Sequence, residues 1–507
     1  MFVSDWLKKR SQLSPNKVAL IEQKTGRKIT YADWELEATR LAAFFQQGLS
    51  VDKGQRVAIL SMNCVEYLDT WFACAKTGAV LQNLNWRLSR EELLPLLEDA
   101  APTVLLYSQD FLESVRWLQE RYDGVQHWVA LTEKARPEDR HFSENLEYAE
   151  AALAPVKVEM SDPWVICYTG GTTGRSKGAI LSHGNVFANA VNTVMSWELD
   201  SSDVAILNAP LFHVGGLNVF TSPLVYAGGT SILCDRFDVE MVFELVKNEG
   251  VSVFFGVPTM FVMMQEHPLW DKADFSHLKF VISGGAPCPM PVFEKFWDKG
   301  VHFKTGYGLT EAGPNTFWLP REQVQEHPGA VGYPLMHIEV RLVDEEGCDV
   351  EGEGVGELLI RGPHVTQGYW NNAEATSKAL REGWLHTGDL AGRDEHGVYS
   401  IVGRLKDMII SGGENIYPAE IESVLHAHPK IAEACVIGIP NEKWGEVGLA
   451  AIRLLEGEQA EAAEIKAFCK ERLASYKIPR RWEFLSELPK TSAGKLDKKV
   501  LRQQFGD

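Results

Sequence analysis

Tyr168-Thr169-Gly170-Gly171-Thr172-Thr173-Gly174-Arg175-Ser176-Lys177-Gly178-Ala179 follows a short apolar run, Trp164-Val165-Ile166-Cys167, that reads as a strand. Glycines at this density let backbone N–H groups approach a ligand and adopt positive φ. Successive N–H groups then form an anion-binding concavity. Thr172 and Thr173 add hydroxyl donors and Lys177 adds charge, so the loop suits a polyphosphate. It is not a Walker A loop, because Ser176 stands before Lys177 where that motif has glycine. It also contains no G-x-G-x-x-G, so a dinucleotide fingerprint is absent. The alternative is a glycine-rich strand-to-helix turn, and the rest of the chain has to decide.

Outward from this loop, strand and helix signals alternate. Thr30 to Phe45 places Trp34, Ala38, Leu41 and Phe45 on one helical face, and Glu66 to Lys76 reads as a helix closed by Gly78. Val57 to Leu60, Val104 to Tyr107, Ala205 to Leu207, Val251 to Phe255 and Phe280 to Ile282 read as strands. This alternation predicts βαβ units and largely parallel sheets. The glycine-rich clusters fall just after strands: 169–178, 210–216, 256–258, 284–287 and 305–313. Ligands of open α/β sheets bind at the carboxyl ends of strands, so these loops point to one crevice. From about Gly332 the texture turns to short β strands and turns, reading as a small barrel. The last hundred residues read as a compact α+β domain.

The 507 residues allow roughly two to four domains. A net charge of −19 argues against a nucleic-acid binder. Within that acidic chain, Lys470 to Arg502 holds ten basic and four acidic residues, either a solvated face or a domain bringing charge to phosphates. Eight scattered cysteines show no C-x-x-C or zinc spacing, which predicts free thiols in a reducing, cytoplasmic setting. Cys167 reads as a small core residue rather than a nucleophile. Met1 to Arg10 has no apolar signal region; it reads as a docked surface helix or a short amphipathic helix touching a membrane. Val204 to Cys234 carries no charged residue until Asp235, but prolines and glycines break it into a buried strand–loop–helix–strand.

Four further motifs complete the pattern. Tyr307-Gly-Leu-Thr-Glu-Ala-Gly313 joins an aromatic, a hydroxyl and a carboxylate; Thr387-Gly-Asp389 sets a carboxylate in a turn. Gly403 to Glu422 marks a domain boundary, and Pro489-Lys-Thr-Ser-Ala-Gly-Lys495 lies near the C-terminus. In this order and spacing the chain resembles, nearly end to end, the superfamily of acyl-CoA synthetases, adenylation domains and luciferases. Ile409 to Glu422 and Lys443-Trp-Gly-Glu446 look most like medium- and long-chain fatty-acyl-CoA ligases and their aryl-acid relatives.

That resemblance implies a fold and a set of roles. The fold is α/β, with residues 1–403 as an N-terminal adenylate-forming domain whose β-rich part begins near 332. Residues 404–408 would be a hinge and 409–507 a mobile C-terminal domain. The reaction would join a carboxylic acid to CoA through an acyl-adenylate made from ATP and Mg2+. Thr169, Gly170, Gly171, Thr172, Thr173, Gly174 and Lys177 would cradle the β- and γ-phosphates. Gly171 stands where many relatives carry serine, which removes one hydroxyl and keeps the backbone nest. Glu311 would hold Mg2+, and Thr310 would touch the α-phosphate. Gly285, Ala286, Pro287, Gly306 and Tyr307 would enclose adenine. Asp389, with Arg404 nearby, would accept from the ribose hydroxyls. Lys495 would bridge carboxylate and α-phosphate oxygens and stabilise developing charge. His213, Val214 and Gly215 match the acyl-pocket motif, where His213 either lines the pocket or is a core histidine. Lys406 matches the hinge. Ser411, Gly412 and Gly413 would make room for the pantetheine arm, and Trp444 either touches CoA or packs on the surface.

A fatty acid is the expected substrate, with an aryl or cinnamic acid as the alternative. A rival function is an adenylation domain loading a carrier protein, disfavoured because no carrier segment follows Lys495 before Asp507. The remaining expectations are a monomer or homodimer with no transmembrane segment, open to peripheral membrane contact.

Overall fold

The strand that precedes the opening loop belongs to a seven-stranded sheet. A computed structural model describes Val3 and residues 5–169, 176–412, 414–491 and 495–506. In this first sheet the strands run in the order Arg140–His141, His127–Ala130, Val104–Tyr107, Arg56–Leu60, Val80–Asn83, Pro163–Thr169 and Lys177–Ser182. All neighbours are parallel except the last pair. The two strands flanking the glycine-rich stretch therefore pair as an antiparallel hairpin, and the chain does not pass from strand directly to helix. The run Ala179-Ile180-Leu181 beyond the loop is apolar and pairs with Ile166 and its neighbours. The following helix, His183–Ser196, starts only where Ser182 accepts from the Asn185 N–H in a capping box.

A second seven-stranded sheet has the order Phe303–Thr305, Phe280–Ser283, Val253–Gly256, Val204–Leu207, Thr230–Leu233, Val18–Glu22 and Lys28–Thr30. It is parallel except for its final pair. From Val204–Leu207 the chain pairs first on one side, with Thr230–Leu233, and then on the other, with Val253–Gly256. That reversal is a topological switch point, where a crevice opens at the strand ends. The uncharged segment after Leu207 folds as expected, into helices Val214–Gly216 and Ser222–Ala227 and then the strand Thr230–Leu233.

Helices pack these sheets together. Helix Tyr31–Ala43 is opened by a Thr30/Asp33 capping box and buries Trp34, Ala38 and Leu41 completely. Helix Val65–Thr77 ends at Gly78, whose φ of 71° lets the chain leave the helix. Trp71 of that helix stacks on Trp164 at 4.8 Å, and its carbonyl accepts from the Trp164 indole at 2.8 Å. The N-terminal helix Trp6–Leu13 docks on this core, with Trp6 edge-on to Trp164 and Tyr226 and with Arg10 bonded to the Val225 carbonyl. No described helix is long and apolar enough to cross a membrane. All eight cysteines are free, and burial pushes the Cys167 thiol up to about 12, as a core residue requires.

The β-rich segment is a five-stranded antiparallel sheet of Glu339–Val343, Gly354–Arg361, Leu380–Arg381, Trp384–Arg393 and Tyr399–Arg404. A further five-stranded sheet lies beyond Asp407, built from Ile409–Ser411, Glu414–Ile416, Ile431–Asn441, Gly445–Leu454 and Arg481–Phe484. It has its own core, including Ile409, Ile421, Leu425, Val436, Ile452 and Ile465, as a small separate domain must.

Candidate active site

Adjacent strands of the second sheet deliver three loops to one place. Ser283 and Thr305 are register partners, so Gly284–Gly285–Ala286–Pro287 and Gly306–Tyr307 emerge side by side. The Gly306 N–H donates to the Ser283 carbonyl at 2.8 Å. Leu207, on the far side of Val253–Gly256, leads into the loop bearing His213, Val214 and Gly215.

The β-rich sheet adds a carboxylate from above. Asp389 and Arg404 are register partners across an antiparallel pair, and Arg404 Nε lies 3.3 Å from Asp389 Oδ1. Tyr307 Oη donates to Asp389 Oδ2 at 2.7 Å. The expected adenine residue and the expected ribose residue are thus joined directly. Burial raises the Asp389 pKa, while Arg404, the Tyr307 hydroxyl, Lys495 and Lys406 pull it down. Burial and the adjoining carboxylate push the Tyr307 phenol well above its ordinary range, so it remains a donor.

Lys495 comes from the small domain. Its backbone is tied to Thr491: its N–H donates to Thr491 Oγ1 at 3.3 Å and its carbonyl accepts from the Thr491 N–H at 2.7 Å. The side chain keeps solvent contact, yet enough protein surrounds the ammonium to lower its pKa, helped by Arg404 and opposed by Asp389. Its charge also reaches His213. Burial first, then Lys495 and Arg87, push that imidazole down to about 4, so it is neutral near pH 7. The charge of Lys495 thus bears on both Asp389 and His213.

Glu311 sits in the single helical turn Thr310–Ala312. Its Oε1 accepts from Tyr369 Oη at 2.7 Å, and its backbone carbonyl accepts from the Thr366 N–H at 2.7 Å. Thr169 and Lys177 face each other at the mouth of the hairpin. Lys177 Nζ lies 5.3 Å from the centre of the Tyr369 ring. Gly170, Gly171, Thr172, Thr173 and Gly174 fall outside the described residues. Among the described residues no three His, Cys, Asp or Glu side chains cluster as a metal cage. One carboxylate beside a polyphosphate loop is nevertheless the donor set that suits Mg2+, which takes few protein ligands and completes its shell with phosphate and water oxygens.

The acyl-pocket motif lies over an apolar recess lined by Ile206, Leu207, Gly215, Gly216, Phe220 and Phe255. The Phe255 ring is held between two glycines. A Cβ on Gly215 would stand 3.4 Å from it and one on Gly284 3.0 Å, so any side chain there would crowd the ring.

On the small domain, Lys406 lies in the turn Leu405–Asp407, which Arg502 fastens through Asp407 at 2.7 Å. Ser411 is buried in strand pairing with Glu414 and Gly445. Gly412 has φ 63°, and a Cβ there would meet the Trp444 ring at 2.6 Å. Trp444 is flanked by Lys443 and Arg480, 4.8 and 5.2 Å from its ring centre. Gly413 lies outside the described residues. The motifs thus place Trp444 against Gly412.

Three participants escaped sequence reasoning: Tyr369, Phe255 and Arg87. Tyr369 is 58 residues from Glu311. Only the Gly368-Tyr369-Trp370 turn, after a β-rich run, marks it in the sequence. Phe255 was legible as a strand residue but not as a pocket wall. Arg87, 4.8 Å from the Trp86 ring centre, lies in a loop with no motif.

A crevice at the strand ends, with Asp389 held by Tyr307 and Arg404, fits a nucleotide-binding enzyme, and the chain belongs to the family of AMP-binding enzymes. The AMP-binding enzyme family matches residues 7–370, and the AMP-binding enzyme C-terminal domain matches residues 420–495. The chain is 39% identical over 504 residues to a feruloyl-CoA synthase of Amycolatopsis sp, covering 99% of both chains. It is 37% identical to an indoleacetate–CoA ligase of Aromatoleum aromaticum, covering 99% of this chain and 98% of the relative. Among solved structures, the o-succinylbenzoate coenzyme A synthetase (MenE) of Bacillus subtilis, in complex with ATP and magnesium ion, is similar at TM-score 0.87 and 32% identity over 100% of each chain.

Proposed function

We propose that this chain is an ATP-dependent, AMP-forming acid–CoA ligase whose acid carries an aryl group. The observation that carries the ligase reading is Asp389 held at the strand ends by Tyr307 and Arg404, with the charge of Lys495 from the small domain bearing on it. In the first half-reaction a carboxylate oxygen attacks the α-phosphorus, the bond to the β-phosphate bridge breaks, and pyrophosphate leaves. Asp389 takes the ribose hydroxyls while Tyr307 and Arg404 hold its carboxylate. The hairpin ending at Thr169 and Lys177 takes the polyphosphate. Glu311 is the residue that would hold Mg2+, which lends positive charge to the phosphates when bound. Lys495 stabilises charge on the oxygens of the forming bond, a preorganised electrostatic role. Neutral His213 borders the carboxylate end of the acid without adding charge. In the second half-reaction the small domain turns about Lys406, and the CoA sulfur displaces AMP from the acyl carbon.

The aryl reading replaces the expected fatty acid. Phe255, packed against Gly215 and Gly284, and Phe220 line the recess with aromatic carbon. Aromatic walls favour stacked or edge-on rings. The feruloyl and indoleacetate ligases, similar over nearly the whole chain, support the same reading. The test is pyrophosphate release across cinnamic, arylacetic and straight-chain acids. An aryl acid is expected to lead in kcat/KM by at least about tenfold, the worth of burying one or two carbons well. A straight-chain acid in the lead overturns the substrate reading and leaves the ligase reading intact.

A further inference from the structure

Residues 366–370 form a strap that ties the two halves of the phosphate site together. At one end, the Thr366 N–H donates to the Glu311 carbonyl, and Thr366 Oγ1 donates to the Ile180 carbonyl at 2.6 Å. At the other end, the Trp370 N–H donates to the Gly178 carbonyl at 2.7 Å, and the Ile180 N–H donates to the Gly368 carbonyl at 3.0 Å. The strap therefore spans the phosphate-loop hairpin and the Glu311 turn, which are far apart in sequence. Tyr369 sits at its centre, with its N–H donating to Thr376 Oγ1 at 2.9 Å. Its hydroxyl reaches Glu311, and its ring lies beside Lys177.

We propose that Tyr369 is the positioning residue of the metal–phosphate site, holding Glu311 through its hydroxyl and Lys177 through its ring. This rests on the reading of Glu311 as the Mg2+ carboxylate. A glutamate has several rotamers, and fixing one of them on binding costs free energy. A donor on one carboxylate oxygen fixes that rotamer beforehand and leaves the group anionic for a hard cation. Such partners of a metal ligand are typically worth about 10- to 100-fold in metal affinity. The ring acts separately, since an ammonium about 5 Å from an aromatic centre is held by the ring quadrupole. One side chain thereby sets the spacing between the acidic and the basic group that meet the same polyphosphate.

The two functions separate in Tyr369→Phe and Tyr369→Leu. Calorimetric titration of the full chain with ATP, without acid, over a range of Mg2+ concentrations measures binding apart from turnover. Tyr369→Phe keeps the ring and is expected to raise the Mg2+ needed for half-maximal ATP affinity about tenfold. AMP affinity, which needs no polyphosphate or metal grip, should stay within about twofold in the same protein. Tyr369→Leu should also weaken ATP binding at saturating Mg2+. An unchanged Mg2+ requirement in Tyr369→Phe overturns the proposal, and so does an equal loss of AMP and ATP binding, which marks a purely structural role. Glu311→Gln is the control. If it leaves the Mg2+ dependence intact, the metal assignment itself falls; if it shifts that dependence and Tyr369→Phe does not, only the Tyr369 inference falls.

Discussion

The two regions that build the site do so in opposite ways. In the large crevice several candidate groups are fixed by strand register. Asp389 faces Arg404 across one ladder, Ser283 faces Thr305 across another, and Thr169 faces Lys177 across a third. In the small domain Lys495 acts on Asp389 and His213 through charge, and no ion pair joins it to a carboxylate among the described residues. Register gives preorganisation without motion. A charge delivered by a separate domain can be withdrawn. Two successive reactions in one crevice need both properties, and under the proposed function the register-held part would bind nucleotide while the small domain would carry the change of chemistry.

The sharpest way to break that contrast is Lys495→Ala. Adenylate formation should fall about 1000-fold, the size expected for a group that stabilises transition-state charge. Thioester formation from supplied acyl-adenylate should survive, as followed by AMP release. Equal loss in both steps would make Lys495 a structural residue. Next comes Lys406→Pro. A fixed φ with the loss of one N–H penalises one domain orientation by about 3 kcal/mol, so transfer to CoA should slow roughly 100-fold. Pyrophosphate exchange should stay normal, and normal overall turnover would remove the hinge role.

On the rigid side, Asp389→Asn should weaken ATP and AMP alike, by about 100-fold if two charge-assisted ribose bonds weaken. A loss for ATP alone would place Asp389 with the phosphates instead. Phe255→Ala should move the acid preference rather than nucleotide affinity. An acid two methylenes longer should gain about tenfold in relative kcat/KM. No change would show that Phe255 is not a pocket wall.

The smallest effect concerns acid stability. His213, His183 and His364 are each pushed to about 4 from 6.5, chiefly by burial. Each binds its proton more readily in the unfolded chain, so stability is full above about 6.5 and is lost as pH falls toward 4. His213→Gln should flatten that limb of the Tm–pH curve without removing it, since His183 and His364 remain. An unchanged limb would place His213 outside this linkage.

Much of the scaffold was legible beforehand because its signals are local. Apolar runs marked Val104–Tyr107 and Phe280–Ser283, and Gly78 marked the end of Val65–Thr77. The phosphate loop was legible in composition but not in context. Its second flank, Lys177–Ser182, is a strand because Ala179 to Leu181 pair with the strand before the loop, a decision made across the hairpin. The fatty-acid expectation came from an uncharged segment, which reports that a pocket is apolar and says nothing of its depth. In the proposed aryl reading Phe255 bounds the recess, and its strand reaches there only through sheet order.

The order of motifs by itself determined that this chain binds and activates a nucleotide. The motifs that hold the glycine loops, Glu311, Asp389 and Lys495 are each weak alone, and their order and spacing carried the reading. Only the tertiary structure decided which groups touch. Tyr307 meets Asp389 over 82 residues and Tyr369 meets Glu311 over 58. Such contacts depend on how two sheets stack and where a strap crosses them. No local propensity encodes that arrangement; it follows from burying both sheets against shared helices and leaving the strand ends open.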